Sequence, residues 1–382
     1  MWRERIRSQP MFDILREVQA LERSGSEIIH LEIGDTSGFI NSELKRSITQ
    51  AASEQEYGYS PSAGEYLLRQ TIAEIFSRDL NITVPVEQVC IAPANALILQ
   101  SLAAIAAEGD TVLIPDPGFP TYSLASNFLG LKIQPYSVFA NGAPRIEPLR
   151  RIRDRLHGAK PVAIILNNPS NPLGHVFDWT EFSELFEFAV EVNATLVFDE
   201  TYLNLTYGAA QVESPSDLGT DVVRMRSLSK EHAAPGLRIG YCHASTPIIE
   251  TISNFSSMVY SCVPSFIQIG TARYLKSDES NRFVQNLKIE MSDRFSLLVR
   301  QFNEGGVELT STPNAGFYAF LDVEDGDQMF RILLDQFGVA VCPGSAFGKQ
   351  GKRAIRISLA GVRCDVEIGI GRIVTGISHS IG

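Results

Sequence analysis

The chain has 382 residues, more than one small core usually holds, so we expect a large domain with a smaller one beside it. With 44% hydrophobic residues, a net charge of −11 and no basic arm, it is a globular chain unlike nucleic-acid-binding proteins. No apolar run could span a bilayer and no apolar leader follows the charged N-terminus, so we expect a cytoplasmic enzyme without membrane contact.

Strands and helices are predicted to alternate along the first two thirds of the chain. Strands are expected at 28–33, 89–91, 111–114, 162–166 and 196–198, and helices at 66–76, 95–107, 122–129 and 180–192. The last of these helices is expected to be capped at Thr180. Because the strands are almost wholly apolar, the pattern predicts an α/β fold with a mostly parallel sheet sandwiched by helices.

The pattern changes after Pro264. One long helix is predicted at 266–302, and it is followed by a strand at 317–321, a helix at 329–337 and a strand at 354–358. This order is typical of a smaller α+β domain, which the N-terminal segment is expected to join. The predicted division is therefore a large domain at 42–265 and a discontinuous small domain at 1–41 and 266–382.

The five cysteines are scattered without the spacing of a metal site or a disulfide framework. Most lie in apolar surroundings, so we expect buried, reduced thiols and no metal. The one histidine beside the chemically interesting residues, His232, is expected to lie in an exposed loop.

The residue that carries most of the chemical argument is Lys230. Two hydroxyls, Ser227 and Ser229, precede it, and Arg238 follows one loop later. Lysine is the amine that forms Schiff bases, and hydroxyls with a guanidinium suit a phosphate. A lone lysine is usually a solvated surface residue, but this context predicts a site for pyridoxal 5′-phosphate (PLP).

Three upstream residues fit the same cofactor. Asp199 would pair with the pyridine nitrogen and keep it protonated, whereas the alternative is a turn or N-cap aspartate. Asn171 and Tyr202 would hydrogen-bond the phenolic oxygen of the ring, and their alternatives are a turn asparagine before proline and a packed aromatic.

Further residues would complete the site. Phe119 is placed to stack on the ring, or else is a core phenylalanine. Ala94 and Asn95 begin a helix directly after a strand, where free backbone N–H groups could receive the phosphate. Arg356 is the expected clamp for a substrate carboxylate, and a surface-strand arginine is its alternative.

In their order along the chain, these residues resemble the PLP-dependent aminotransferases of fold type I, class I/II, related to aspartate aminotransferase. The resemblance covers nearly the whole chain, and many ordered matches carry more weight than any single motif. The matching segments are 31–34, 59–64, 115–122, 167–174, 199–202, 227–230, 236–241, 316–318 and 338–348, with Arg356.

The resemblance implies roles beyond those read from the residues. Lys230 would form the aldimine with PLP and move a proton between the substrate and the cofactor. Tyr59 would reach the phosphate in the neighbouring subunit of a two-fold homodimer. Gly34, Asn171 and Arg356 would contact the substrate, the glycine and the arginine at its carboxylate.

The implied reaction is transfer of an amino group from an amino acid to a 2-oxo acid by a ping-pong mechanism. Fold does not fix reaction, so a PLP-dependent lyase or another specialised enzyme is the alternative. A PLP-binding effector domain of a transcription regulator is disfavoured, because the chain starts almost directly with the enzyme-like segment. Pro93 departs from the family pattern and offers the phosphate no N–H. Substrate selection is expected from 11–14, 34–40 and 260–265.

Overall fold

The computed structural model describes residues 2–36, 38–54, 58–210, 212, 215–216 and 218–381. The helices in this part of the chain are α1 (Trp2–Arg5), α2 (Pro10–Arg23), α3 (Ser42–Glu54), α4 (Tyr66–Leu80), α5 (Ala94–Ile105), α6 (Thr121–Leu129), α7 (Leu149–Leu156), α8 (Trp179–Val192), α9 (Leu228–Glu231), α10 (Thr246–Val259), α11 (Ser265–Leu275), α12 (Asp278–Glu304), α13 (Gly326–Phe337) and α14 (Arg363–Ile381). The strands are β1 (Ile29–His30), β2 (Val89–Ala92), β3 (Thr111–Asp116), β4 (Lys132–Ser137), β5 (Phe139–Ala140), β6 (Ala143–Pro144), β7 (Pro161–Asn167), β8 (Thr195–Asp199), β9 (Val222–Ser227), β10 (Gly240–His243), β11 (Tyr318–Asp322), β12 (Val339–Ala340), β13 (Cys342–Pro343) and β14 (Ala354–Ser358).

A seven-stranded sheet forms the centre of the fold, in the order β2-β10-β9-β8-β7-β3-β4. Strand β10 runs antiparallel to both of its neighbours, and every other pairing is parallel. Helices cover both faces, which explains why β7 and β8 are apolar between their end residues and almost wholly buried. The predicted α/β architecture is confirmed.

A second sheet lies after the long helices. It has the antiparallel order β11-β14-β13, and the two-residue strand β1 pairs in parallel with β12 nearby. Beyond β1, the N–H of Leu31 donates to the carbonyl of Ala340, and the carbonyl of Leu31 accepts from the N–H of Ser358. These bonds hold the N-terminal segment against the end of β14, which carries Arg356.

Several helix boundaries differ from those predicted, and two of the differences have a clear local cause. The single helix expected at 266–302 is two helices, because the backbone at Ser277 is extended and caps the start of α12. Helix α8 begins at Trp179 rather than at a cap on Thr180. Its cap is Asp178, which accepts from the N–H of Glu181 while the Glu181 carboxylate accepts from the N–H of Asp178.

The cysteines follow the prediction in most cases. All are free thiols, and Cys90, Cys242 and Cys342 are buried, whereas Cys262 is half-buried and Cys364 is exposed. Within the described ranges, no helix is both long and apolar enough to cross a membrane. The same ranges hold no group of three or more histidine, cysteine or acidic side chains arranged to bind a metal ion.

Candidate active site

A cavity of about 540 Å³ opens at the carboxyl ends of β7, β8 and β9. This is where ligands bind in open α/β sheets. Eleven of the twelve predicted site residues line it, namely Gly34, Ala94, Asn95, Phe119, Asn171, Asp199, Tyr202, Ser227, Lys230, Arg238 and Arg356. The twelfth, Tyr59, is not among the lining residues, and its side chain is 90% exposed.

The side chain of Asn167 holds the loop that follows β7 against the end of β8. Asn167 and Asp199 are partners in the parallel register of β7 and β8, and the Asn167 amide donates to the Asp199 carbonyl at 3.1 Å. The Asn167 Oδ1 accepts from the backbone N–H of Asn171 at 2.7 Å. Asn171 is thereby brought to the cavity wall close to Asp199.

The Asp199 carboxylate is buried and holds three hydrogen bonds. Tyr122 donates its hydroxyl to Oδ2 at 2.7 Å, and Thr201 donates its hydroxyl and its N–H to Oδ1 at 2.6 and 3.1 Å. Burial raises the pKa of Asp199, and these hydrogen bonds oppose that rise. A cation next to the carboxylate would favour its ionised form further.

The sequence argument did not include Tyr122 or Thr201 among the site residues. Tyr122 stands three residues after Phe119 at the start of α6, and the two rings meet edge to face with centroids 5.8 Å apart. The sequence pointed to Tyr122 and Thr201 only in that both lie in segments that carry the family resemblance, 115–122 and 199–202.

Lys230 lies in the short helix α9 at the cavity wall. Its Nζ donates to the carbonyl oxygen of Gly34 at 2.6 Å and lies 5.6 Å from the centre of the Phe317 ring. Ser227 caps the helix, since its Oγ accepts from the N–H of Ser229 at 3.1 Å. The half-buried amine is therefore held between the two sheets and not in bulk solvent.

One end of the cavity is built for an anion. Ala94 and Asn95 are the first residues of α5, so their N–H groups have no partner inside the helix. Ser227 and Arg238 line the same cavity. A side chain at Gly240 would come within 2.8 Å of the Ala94 nitrogen, so only glycine lets β10 run this close to the start of α5.

Arg356 is fully buried and lines the same cavity. Its Nη1 donates to Asn171 Oδ1 at 3.1 Å and its Nη2 to the carbonyl of Glu32 at 2.6 Å. The guanidinium lies between the rings of Tyr318 and Phe347, at 4.1 and 4.6 Å from their centres. Its Nε has no hydrogen-bond partner in the described part of the chain, which leaves donor capacity for a carboxylate.

Tyr318 is a further wall residue that the sequence argument did not single out. Its hydroxyl is 3.4 Å from that of Tyr202, and its ring covers Arg356. A Cβ at Gly34 would lie 1.8 Å from the Tyr318 hydroxyl, so the chain passes here without a side chain. Burial is the main cause that raises the pKa of Tyr202.

The family model of the class I and II aminotransferases matches residues 26–373. The chain belongs to this family. Its members depend on PLP, so the chain is a PLP-dependent aminotransferase of the transferase class.

Individual relatives agree on the reaction but not on the substrate. The chain is 30% identical to (5-formylfuran-3-yl)methyl phosphate transaminase of Methanocaldococcus jannaschii, with 95% of both chains covered. It is 29% identical to aspartate aminotransferase of Pyrococcus abyssi, with 91% of this chain and 90% of the relative covered. The solved aromatic aminotransferase of Pyrococcus horikoshii superposes with a TM-score of 0.86 at 27% identity, over 95% and 99% of the chains.

The residues of this aminotransferase fit PLP. The cavity wall includes the first residues of α5, whose N–H groups have no partner inside the helix, with a serine and an arginine, and these are the donors that a phosphate needs. It offers a buried carboxylate, Asp199, and an amine, Lys230, on the same wall. Pro93 contributes no N–H, as expected, but its carbonyl accepts from Ala96 and Leu97 and so starts the helix.

One expectation about the aminotransferase pocket was wrong. His232 is buried and not in an exposed loop, because α9 turns it inward, where its Nδ1 lies 3.1 Å from the Tyr274 hydroxyl. Burial lowers the pKa of His232 to about 4. Of the segments expected to select the substrate, 11–14 contributes Met11 and Phe12 to the cavity and 34–40 contributes Gly34 and Asp35, whereas no residue of 260–265 lines it in the described part of this chain.

Proposed function

We propose that this aminotransferase moves the amino group of a 2-amino acid to a 2-oxo acid, with Lys230 as the group that holds PLP and carries the proton. The observation that carries the proposal is the single cavity shared by Lys230, Asp199 and Arg356. When bound, PLP withdraws electrons from the substrate carbon that loses its proton. The remaining work is done by side chains of this chain.

Lys230 is proposed to take the proton from the α-carbon of the substrate and to return it two atoms away, on the far side of the substrate nitrogen. Its amine sits at the end of a flexible four-carbon stem, which lets one base serve both positions. The contact of Nζ with the Gly34 carbonyl at 2.6 Å supports this role. That contact keeps a free amine on the wall of the cavity close to the substrate's expected place.

Asp199 is proposed to face the ring nitrogen, with Asn171 and Tyr202 at the phenolic oxygen. The three hydrogen bonds from Tyr122 and Thr201 fix the Asp199 carboxylate and favour its charged form. Tyr202 is buried, so its hydroxyl remains a donor at neutral pH rather than an anion.

The phosphate end and the ring wall complete the proposed cofactor site. Ser227, Arg238 and the N–H groups of Ala94 and Asn95 would bind the phosphate, since together they supply a cation, a hydroxyl and helix-end donors. Phe119 would stack on the ring, which its half-buried position in the cavity wall allows.

Arg356 is proposed to bind the α-carboxylate, with Gly34 and Asn171 beside it. The N-terminal segments add the apolar Met11, Phe12 and Ile33 to the cavity wall, together with Gln9 and the acidic Asp35, which would repel a second carboxylate. The cations on the cavity wall are Arg226, Lys230, Arg238 and Arg356. Arg226 is paired with Glu200, and the other three have the tasks proposed above. We therefore propose that amino acids with apolar or aromatic side chains react better than dicarboxylates.

We also propose a two-fold homodimer in which Tyr59 reaches the partner's phosphate site. The exposed Tyr59 adjoins Ser60, whose hydroxyl donates to the Val263 carbonyl at 2.9 Å, close in sequence to the exposed Met258 and Val259. We propose that the exposed side chains of Tyr59, Met258 and Val259 belong to one apolar surface that the partner covers. The domain division at 42–265 against 1–41 with 266–382, and the cytoplasmic location, remain predictions.

Mixed dimers test the shared site. We expect the Lys230→Ala and Tyr59→Ala variants, each weakly active alone, to regain up to about a quarter of wild-type activity when refolded together, since half of the dimers then hold one intact site. No gain on mixing, with dimers demonstrated, would place Tyr59 in its own subunit's site or in neither.

A single-turnover experiment tests the reaction itself. The PLP-loaded protein is mixed with an apolar amino acid and no 2-oxo acid. A transaminase releases about one equivalent of 2-oxo acid per subunit and stops until an acceptor is added, because the amino group stays with the enzyme. Continuous release of carbon dioxide and an amine would instead identify a lyase, because decarboxylation needs no acceptor and leaves no amino group on the enzyme.

A further inference from the structure

Three residues proposed to face the cofactor have a buried charged residue as their direct neighbour in the chain. Glu200 follows Asp199, Arg226 precedes Ser227, and Glu231 follows Lys230. Glu200, Arg226 and Glu231 are each no more than 3% exposed. Glu200 and Glu231 are not among the residues that line the cavity, so their carboxylates lie behind its wall, whereas Arg226 lines the cavity and reaches back to Glu200.

Glu200 joins the ends of two neighbouring strands. Its Oε2 accepts from Nε of Arg226 at 2.8 Å, and its Oε1 accepts from Nη1 of Arg224 at 2.8 Å. Arg226 reaches on to Asp79 of α4 at 2.6 Å and covers the ring of Phe76. The end of β8 is thus tied to the end of β9 directly behind Asp199 and Ser227.

Glu231 makes the second connection. Its two carboxylate oxygens accept from the backbone N–H and the side-chain amide of Asn204, at 2.8 and 2.9 Å. Asn204 lies two residues after Tyr202, so the bonds join the lysine helix to the turn that carries the tyrosine. The charged groups around this carboxylate are Arg226 and Asp79, and burial raises its pKa to about 7.

We propose that Glu200 and Glu231 are positioning residues, which fix Asp199, Tyr202 and Lys230 relative to one another from behind the cavity wall. The proposal rests on the proposed function, because it concerns the placement of those three side chains. Neither glutamate lines the cavity, so neither touches substrate or cofactor.

Stability alone is a weak reason for these buried charges. A buried ion pair costs several kcal/mol of desolvation for each ion, and apolar residues of the same volume often serve as well or better. Apolar packing does not fix the orientation of one segment relative to another. Each carboxylate here does so, because it makes two hydrogen bonds to groups on another segment. Displacement of a reacting group by about 1 Å can cost on the order of 100-fold in rate.

Glu231→Gln is the decisive variant, because it keeps the volume and one acceptor oxygen for Asn204. We expect it to hold PLP on Lys230, as measured by the borohydride-trapped adduct, but with kcat reduced at least about tenfold and KM within about twofold. Adding Asn204→Asp returns a carboxylate to the same pair and should recover most of kcat. Glu200→Gln is expected to behave like Glu231→Gln if it folds.

The control is Glu290→Gln, whose carboxylate, like that of Glu200, accepts from a buried arginine, Arg294, at 2.8 Å between Nε and Oε1, and neither Glu290 nor Arg294 lines the cavity. This control should lose some stability to urea and keep kcat. The proposal is overturned if Glu231→Gln loses stability like the control but keeps kcat, or if Asn204→Asp restores nothing. Failure of the wild-type protein to form an adduct at Lys230 would overturn the proposed function instead.

Discussion

The side-chain amine of Lys230 donates to the carbonyl oxygen of Gly34 at 2.6 Å, and two residues earlier the carbonyl of Glu32 accepts from Arg356. The segment 31–34 therefore contacts the proposed proton carrier and the proposed carboxylate clamp at once. Because the same segment is bonded to β12 and β14 through Leu31, the spacing between amine and guanidinium is set by the backbone.

Replacement of the proposed proton carrier gives the simplest prediction. Lys230→Ala should lower turnover by about 1,000-fold or more, since both the attachment of the cofactor and the proton transfer are lost. Steady-state assays with an apolar amino acid and a 2-oxo acid measure it. Lys276→Ala, at a surface lysine beside Glu74, should leave turnover unchanged. Equal activity of the two variants would remove Lys230 from the mechanism.

Tyr122→Phe should weaken the cofactor site without changing its shape. The variant deletes the 2.7 Å hydrogen bond to Asp199, and a hydrogen bond to a charged group contributes about 1.5–3 kcal/mol. The pKa of Asp199, already raised by burial, should rise further, and the dissociation constant of PLP should increase about tenfold or more. Equilibrium titration with PLP measures it, and an unchanged dissociation constant would mean that Asp199 does not face the ring.

Gly34→Ala should damage the fold at the cavity wall, because the new methyl group would meet the Tyr318 hydroxyl at 1.8 Å. Overpacking of this kind costs about 1–3 kcal/mol of unfolding free energy in urea titrations. Tyr318→Phe removes the hydroxyl and should recover part of that loss in the double variant. Additive losses would contradict the contact.

Arg356→Lys should raise KM for every amino acid and 2-oxo acid by at least about tenfold, with a smaller effect on kcat. Lysine keeps the charge but cannot offer the planar fork that binds a carboxylate at two points. The control is Arg363→Lys, on the surface beside Glu290. A KM that rises for one substrate side chain only would indicate that Arg356 reads the side chain and not the α-carboxylate.

Stability should fall at alkaline pH through His30. The hydrogen bond to Glu32, at 2.7 Å, is the main cause that raises the pKa of His30 to about 9, from an ordinary value near 6.5. Because the folded state raises the pKa of this base, the contact of His30 with Glu32 contributes its full stabilisation below about pH 6.5. That contribution is lost as the pH rises to about 9. After screening at this half-buried ring, it amounts to about 1 kcal/mol.

Urea unfolding at pH 6 and pH 9.5 measures the contribution of His30. Between pH 6 and pH 9.5, the free energy of unfolding of the wild-type protein should fall by about 1 kcal/mol more than that of His30→Gln, because the variant has no titrating ring at this position. The same loss in both proteins would show that the His30–Glu32 contact adds no stability.

The sequence was sufficient to predict a site residue where only one residue type can do the chemistry. A Schiff base needs a lysine and a ring nitrogen needs a carboxylate, so Lys230 and Asp199 were predictable and do line one cavity. The order of strands and helices in turn, with strands that are almost wholly apolar, likewise predicted the parallel sheet, because both faces of such a sheet are buried.

What could not be predicted depends on contacts between distant segments. Tyr122 reaches Asp199 across 77 positions and Glu200 binds Arg226 across 26, and no local pattern reports either pair. The break between α11 and α12 was missed because helical spacing continues across Ser277. His232 was misplaced because a short helix turns inward by packing on Tyr274 and not by its own periodicity.

The most direct test is the site of covalent attachment. The protein is incubated with PLP, reduced with borohydride, digested and sequenced by mass spectrometry. We expect one phosphopyridoxyl group per chain, on Lys230, with none in the Lys230→Ala variant. A group on another lysine, or no group on the folded protein, would contradict the assignment on which the other site residues depend.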